Sequence, residues 1–318
     1  MKPPVVKVTS PSFSKNPVLQ GELSKRPLQV TLNTEGKRYE GTALAEYLAD
    51  ADAAIIGLER VDEALLARCP QLRAVAKFGV GLDNVDLAAC RKRGIYVGWT
   101  PGINRRTVAE VALGFMIGMA HNMFFTTHLL KQGTWHKEGG TEITGKTVGI
   151  IGLGHIGKEL VELLRPFRCA VLANDILDLS TFARTAGVRL TTKEEIYHTA
   201  DFVTLHVPLT EATHHLINEQ SLSLFRPETC LINTSRGKVV DQDALKQALQ
   251  AHKLRAAAVD VFELEPPPDL EFLQLPNLVC TPHIAGTPFE AVVALGRSAI
   301  EHLDGFFAGT AKKSAAEV

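Results

Sequence analysis

Net charge, cysteine pairs and long apolar runs are all scarce in this chain, and each shortage removes a class of function. Lysine and arginine number 34 against 35 acidic residues, a formal charge of −1 over 318 residues. Such a balance builds no field to draw nucleic acid or an anionic membrane, so neither is an expected partner. The five cysteines (Cys69, Cys90, Cys169, Cys230 and Cys280) are odd in number and scattered, with no Cys-x-x-Cys. That pattern argues against a disulfide frame or a zinc site and for buried thiols in a reducing cytosol. The longest apolar stretch, Val108 to Phe125, is broken by Glu110, His121 and Asn122. A membrane span takes roughly 20 nearly unbroken apolar residues, so a long buried or interface helix is expected instead. The start, Met1-Lys2-Pro3-Pro4, lacks the apolar centre of a signal peptide, and a cytoplasmic location is expected.

What is present is ample apolar material, 45% of the residues, and length for about two domains at ~150 residues each. Short β-branched runs alternate with helical segments through the first hundred residues. Val5 to Thr9, Leu28 to Leu32, Ala53 to Ile56, Leu72 to Lys77 and Ile95 to Val97 read as strands. Gly41 to Leu48 and Asp62 to Arg68 read as helices between them. This rhythm marks a parallel α/β sheet. After Thr100-Pro101-Gly102 a single long helix is expected from about Asn104 to Gln132. Strands at Thr147 to Ile151, Ala170 to Asn174, Asp201 to Val207, Leu231 to Thr234, Ala256 to Val261 and Leu278 to Thr281 compose a second sheet. A last helix, Phe289 to Phe307, has no new strand to serve and is expected to return to the first domain. Ala308 to Val318 reads as a frayed tail.

The most informative stretch is Ile150-Ile151-Gly152-Leu153-Gly154-His155-Ile156-Gly157, followed 18 residues later by Asp175. Gly152 allows a tight turn, Gly154 lets the backbone approach a pyrophosphate, and Gly157 lets the next helix pack on the strand. The free N–H groups at that helix start face the phosphates. Asp175 closes the following strand, where a carboxylate accepts from a ribose diol and repels a 2′-phosphate. The cofactor expected is NAD rather than NADP. A glycine turn that only packs leaves Asp175 unexplained.

Ligands of open parallel sheets collect outside the carboxyl ends of the strands. Those ends carry His206-Val207-Pro208, Asn233-Thr234-Ser235-Arg236-Gly237, Asp260 and Thr281-Pro282-His283, with Glu265 shortly after Asp260. The Arg236 guanidinium can hold a carboxylate through two hydrogen bonds and polarise a carbonyl; its plainer role is a helix cap or surface ion pair. His283 can move a proton near neutrality. Glu265 beside it would fix its tautomer and raise its pKa. Alone, Glu265 is an ordinary loop acid, as Glu263 is taken to be, and His121, His128, His214 and His252 read as bland. Asp260 either accepts from a nicotinamide carboxamide or caps the next turn, the former being preferred. His206 reads as structural, while Val207-Pro208 could wall the adenine.

Together these residues resemble the D-isomer-specific 2-hydroxyacid dehydrogenases, over about Ala54 to Gly286. The likeness includes Lys77-Phe78-Gly79-Val80-Gly81-Leu82-Asp83-Asn84-Val85-Asp86, Pro101 to Asn104, Val108-Ala109-Glu110, the glycine turn, Asn233 to Gly237, Asp260 to Pro266 and Thr281 to Ile284. It implies an α/β architecture of two domains. A Rossmann-type doubly wound parallel sheet, residues 101–286, is inserted into a smaller flavodoxin-like α/β substrate domain, residues 1–100 with 287–318. It implies a catalytic triad of Arg236, Glu265 and His283, no metal, and a homodimer built on the long helix near Val108. It places the dinucleotide against His155, Ile156, Asp175, Val207, Thr234, Asp260 and the His283 to Gly286 loop, Ala285 and Gly286 included. It places the substrate against the backbone around Val80 and Gly81.

Within the family the chain is most similar to the phosphoglycerate dehydrogenase branch, without that branch's optional C-terminal regulatory domain. It departs from that branch at Ile56-Gly57-Leu58-Glu59-Arg60, where an arginine for the phosphate is usual and an acid stands beside a displaced arginine. Lys77 could supply the charge instead. The expected reaction is reversible hydride transfer between NAD and a D-2-hydroxy acid, at a site between two closing domains. The substrate could be 3-phosphoglycerate, with glyoxylate or hydroxypyruvate as the alternative. A non-catalytic NADH-sensing regulator and a relative acting on formate or phosphite are the rival readings.

Overall fold

A computed structural model describes residues 2–317. The chain divides into two compact units, one built from the residues up to Asn104 together with those from Gly286 on, the other spanning Arg105–Ala285.

In the smaller unit five short strands, β1 (Val5–Val8), β2 (Gln29–Leu32), β3 (Ala53–Ile56), β4 (Ala74–Lys77) and β5 (Tyr96–Gly98), form one parallel sheet in the order β2-β1-β3-β4-β5. Successive residues of a strand point to opposite faces, and here both faces are covered. Ala53 and Ile55 pack with Val6, Val8 and Phe13 against Ala299, Ile300 and Leu303 of the Phe289–Ala308 helix. Ala54 and Ile56 pack on the other side with Leu44, Leu48, Leu65 and Leu66. The final helix thus covers the first sheet, the reason it needs no strand of its own. The segment after it departs from the frayed tail read from its composition. Ser314, Ala315 and Ala316 are buried. Ser314 Oγ accepts from Val97 N at 2.9 Å, and the Arg91 guanidinium donates to the Ala316 carbonyl. Small residues fit here because they slip between the Leu87–Lys92 helix and β5.

The larger unit holds seven parallel strands: β6 (Thr147–Ile151), β7 (Ala170–Asn174), β8 (Val188–Leu190), β9 (Phe202–Leu205), β10 (Cys230–Asn233), β11 (Ala256–Val259) and β12 (Leu278–Cys280). Their order, β12-β11-β10-β9-β6-β7-β8, runs outward in both directions from a switch between β6 and β9. Strand β8 lies at the sheet edge with only Val188 buried, so its three residues carry no alternating signal.

The single helix expected over 104–132 is instead two helices, Arg105–Ala120 and Met123–Lys131, bent by 63°. Asn122 at the break adopts φ 56°, a left-handed conformation that asparagine tolerates. A Cβ on Gly118 would lie 2.2 Å from the Phe124 ring, so that glycine lets the second helix fold back on the first. Among the described residues no single helix is long and apolar enough to cross a membrane. All five cysteines are free thiols, and burial pushes those of Cys90, Cys230 and Cys280 up to about 11.

Candidate active site

The glycine turn follows β6, directly at the switch. Gly152 has φ 95°, and a Cβ there would fall 2.6 Å from the His206 carbonyl oxygen and 2.9 Å from the Val207 side chain. The turn and the end of β9 are therefore pressed together. A Cβ on Gly157 would lie 2.4 Å from the Gly152 carbonyl oxygen, so the His155–Leu164 helix sits as close to the strand as a backbone allows. Over Gly154 a Cβ would meet nothing within 4 Å. The helix begins at His155 with no side-chain cap, so its first N–H groups lack intrahelical acceptors, which suits a pyrophosphate.

Asp175 ties the next strand to the same turn. Its Oδ2 accepts from Leu153 N at 2.7 Å and its Oδ1 from Leu177 N at 2.9 Å. Each oxygen keeps a lone pair for a ribose diol. The residues after it, Ile176-Leu177-Asp178, carry no cation for a 2′-phosphate, and Ile176 and Leu177 are exposed. Val207 and exposed Pro208 follow β9 on the same edge. Thr234, beyond β10, is buried, and its Oγ1 is enclosed with no hydrogen-bond partner among the described residues. These residues fit a dinucleotide with an unphosphorylated adenosine ribose.

Two of the three residues read as a triad meet directly. His283 Nδ1 lies 2.8 Å from Glu265 Oε2, and Glu265 Oε1 accepts from Phe262 N at 3.1 Å. Burial pushes the Glu265 carboxyl up. The bond and charge of His283, the Phe262 amide and the Arg236 charge outweigh it and hold the group below its ordinary value. Arg236 thus belongs to the same electrostatic cluster. Its Nη1 donates to Ser235 O at 2.7 Å, and Asn233 Nδ2 donates to the Arg236 carbonyl at 2.9 Å. Both partners stay partly open, His283 36% and Glu265 34% exposed at the side chain.

Asp260 has a different position from one aimed at a cofactor alone. It is fully buried, and its Oδ1 accepts from Thr281 Oγ1 at 2.6 Å and Ile284 N at 2.8 Å, its Oδ2 from Ala285 N at 2.8 Å. Its carbonyl accepts from His283 N at 2.8 Å. His283 itself has φ 56°, a strained value for this residue type that the four bonds from one aspartate hold in place. Asp260 therefore positions His283. Glu263 is not the ordinary loop acid read from the sequence: it lies 3.0 Å from His215 Nε2, a support for which that histidine gave no sequence signal. Glu263 also accepts from Gln242 N at 3.1 Å, bracing the turn that presents Glu265.

His206 carries a second imidazole on this edge, its Nδ1 enclosed. Its Nε2 meets Thr204 Oγ1 at 3.0 Å, and burial drives its pKa down to about 3. In the smaller unit Val80 and Gly81 lie in the loop after β4, where Trp99 Nε1 donates to the Val80 carbonyl at 2.7 Å. Lys77 is buried. Its ammonium donates to the Gly57 carbonyl and, at 2.7 Å, to Asn84 Oδ1. Gly286 lies beside Asn104, whose Nδ2 is 3.1 Å from the place a Cβ would take.

Residues 113–285 match the family model described as D-isomer specific 2-hydroxyacid dehydrogenase, NAD binding domain. The chain is 34% identical to a hydroxypyruvate reductase of Thermotoga maritima over 292 residues, 88% of this chain and 94% of that one. It is 36% identical to a D-3-phosphoglycerate dehydrogenase of Methanocaldococcus jannaschii over 264 residues, 82% of this chain, but spans only 50% of that relative's length. A crystal structure of D-lactate dehydrogenase from Aquifex aeolicus, with NAD and lactic acid, superposes with a TM-score of 0.84 at 27% identity, covering 96% of each chain. With the glycine turn, Asp175 and the His283–Glu265 pair in place, these likenesses put the chain in the D-isomer specific 2-hydroxyacid dehydrogenase family, as an NAD-dependent oxidoreductase.

Proposed function

We propose that the substrate pair is a small unphosphorylated D-2-hydroxy acid and its 2-oxo acid, of the glyoxylate or hydroxypyruvate kind. The 2.8 Å contact between His283 Nδ1 and Glu265 Oε2 carries the chemical part of this reading. With Nδ1 taken up by the carboxylate, Nε2 is the nitrogen that faces a substrate. In reduction it gives its proton to the carbonyl oxygen; in oxidation it takes the hydroxyl proton back. Arg236 holds the substrate carboxylate and polarises the carbonyl. The family resemblance also implies substrate contacts from the backbone at Val80 and Gly81. NADH, when bound, supplies the hydride that adds to C2, and NAD removes it in the reverse direction.

The 34% identity to a hydroxypyruvate reductase over 88% of this chain supports the unphosphorylated acid. The Met123–Lys131 helix, with no buried residue and with Met123, Phe124, Phe125 and Leu130 exposed, supports a second copy of the chain as the partner, in a homodimer. The test is NADH consumption with glyoxylate, hydroxypyruvate, pyruvate and phosphohydroxypyruvate. Turnover should be fastest with one of the first two. A preference for phosphohydroxypyruvate, or no turnover of any, overturns the reading.

A further inference from the structure

The loop that follows β4 opens on Gly79, whose φ of 150° is a conformation that side chains rarely adopt, and runs on through Val80 and Gly81. Both of its ends are tied down. Phe78 N donates to the Ile56 carbonyl at 2.8 Å, and the Leu82 carbonyl accepts from Val85 N at 2.9 Å. Between those ends, among the described residues, the backbone of residues 79–81 makes one hydrogen bond: Trp99 Nε1 donates to the Val80 carbonyl at 2.7 Å.

The indole that makes this bond has a fixed base. Trp99 follows β5, and both its neighbours are locked to the final helix. A Cβ on Gly98 would lie 2.5 Å from His302 Cβ, and Thr100 Oγ1 is 3.0 Å from His302 Nε2. The Trp99 ring packs against the cluster that holds Val85, Val97, Ala315 and Ala316. The Val80 carbonyl and the Gly81 N–H belong to one planar trans peptide and point in opposite directions. By holding the carbonyl, the indole turns the Gly81 N–H away from itself. Neither that amide nor Val80 N donates to another described residue. Adjacent N–H groups left without acceptors suit a carboxylate.

We propose that Trp99 is a positioning residue for the substrate: it sets the Val80–Gly81 peptide so that the Gly81 N–H meets the carboxylate of the 2-oxo acid. The proposal rests on the reading above, which puts that backbone against the acid. Without the indole bond the peptide plane can rotate. The carboxylate then loses a preset donor in the ground state and the transition state alike, so the loss falls on KM.

The test compares the wild-type chain with Trp99→Phe, which keeps an aromatic ring against the same cluster and deletes the N–H. With glyoxylate and hydroxypyruvate, KM should rise at least about fivefold, while kcat and NADH affinity stay within about twofold. A ring that only packs would lower the melting temperature and leave KM alone, and that result overturns the role of Trp99 while the dehydrogenase reading stands. A loss spread evenly over kcat, KM and NADH affinity overturns it as well. A wild-type chain that reduces neither acid overturns both. If the phenylalanine variant does not fold, the indole N–H resonance of Trp99 decides. The chain has two tryptophans and Trp135 is exposed, so Trp135→Phe identifies the Trp99 signal. With NADH bound, saturating oxamate, an isostere of the 2-oxo acid, should shift that signal, and an unmoved signal overturns the proposal.

Discussion

A Cβ built on Gly237 would lie 1.9 Å from the carbonyl carbon of Phe262, so the backbone after Arg236 rests directly on the turn that leads to Glu265. Two segments that meet across β10 and β11 thus set the spacing of the guanidinium and the carboxylate. No side chain fits between them. Gly237→Ala should force the loops apart, with overpacking costing about 1–3 kcal/mol and Arg236 drawn away from the cluster. Thermal melts and kcat on the same preparation check this: both should fall, and an alanine variant with native kcat would show that the contact does not set the geometry.

Asp260 holds the other side of the site. Four bonds from one buried residue keep His283 in its left-handed backbone conformation. Asp260→Ala should strand the Ile284 and Ala285 amides and cost about 3 kcal/mol or more. Thr281→Val removes only the 2.6 Å hydroxyl bond, and should lower kcat with a smaller loss, about 1 kcal/mol, in melting stability. Comparing kcat with NADH affinity, read by fluorescence, separates positioning of the imidazole from cofactor binding. A threonine variant that loses NADH affinity and keeps kcat would contradict the assignment.

Asp175 acts at the far end of the cofactor. Asp175→Ala removes the acceptor for the ribose diol and the bond to Leu153 N together. NADH should bind more weakly, and the preference for NADH over NADPH should shrink by about tenfold or more. An unchanged ratio of the two affinities would remove Asp175 from the ribose site.

Acid should destabilise the fold well before its carboxylates titrate. The His206 ring stays neutral down to about pH 3 in the folded chain, whereas an unfolded histidine takes a proton near 6.5. Between these values unfolding takes up a proton, so the stability held by the neutral ring is full above about 6.5 and lost as pH falls toward 3. Burial first, then the Lys312 charge, lowers His302 as well, which adds in the same direction. Glu265, held below its ordinary value, contributes only below about 4.5. From pH 7 to 5.5 the His206 share is about 1 kcal/mol. Thermal melts of the wild type and His206→Asn at those two values should show a smaller acid loss in the variant; equal losses would place the proton elsewhere.

The parts legible in the sequence are those where one backbone rule or one charge decides. The glycine turn needs Gly152 and Gly157 because the Gly152 and His206 carbonyls crowd them, and Asp175 stands at a strand end where little else explains an acid. Arg236, Glu265 and His283 are distant in sequence but close the ends of neighbouring strands. What stayed hidden depends on tertiary packing. Strand β8 buries one side chain, so no alternation announces it. The bend at Asn122 needs Phe124 to pack on Gly118, a contact that periodicity cannot register. The docking of Ser314 to Ala316 rests on the Ser314 hydroxyl, the Arg91 guanidinium and two small core residues, Ala315 and Ala316, too little for a periodic apolar pattern to announce. For Asp260 the sequence leaves a cofactor acceptor and a cap of the next turn both open, and the bonds from Ile284 N and Ala285 N are those of the cap.

The central claim is that Arg236 and a Glu265-braced His283 act on a substrate carbonyl beside bound NADH. Its most direct test is the rate of NADH oxidation by Arg236→Ala and His283→Asn with the best 2-oxo acid, set beside their NADH affinity. The account predicts losses of at least about 100-fold in kcat/KM with NADH affinity within about threefold of wild type. Undiminished turnover in either variant would contradict it.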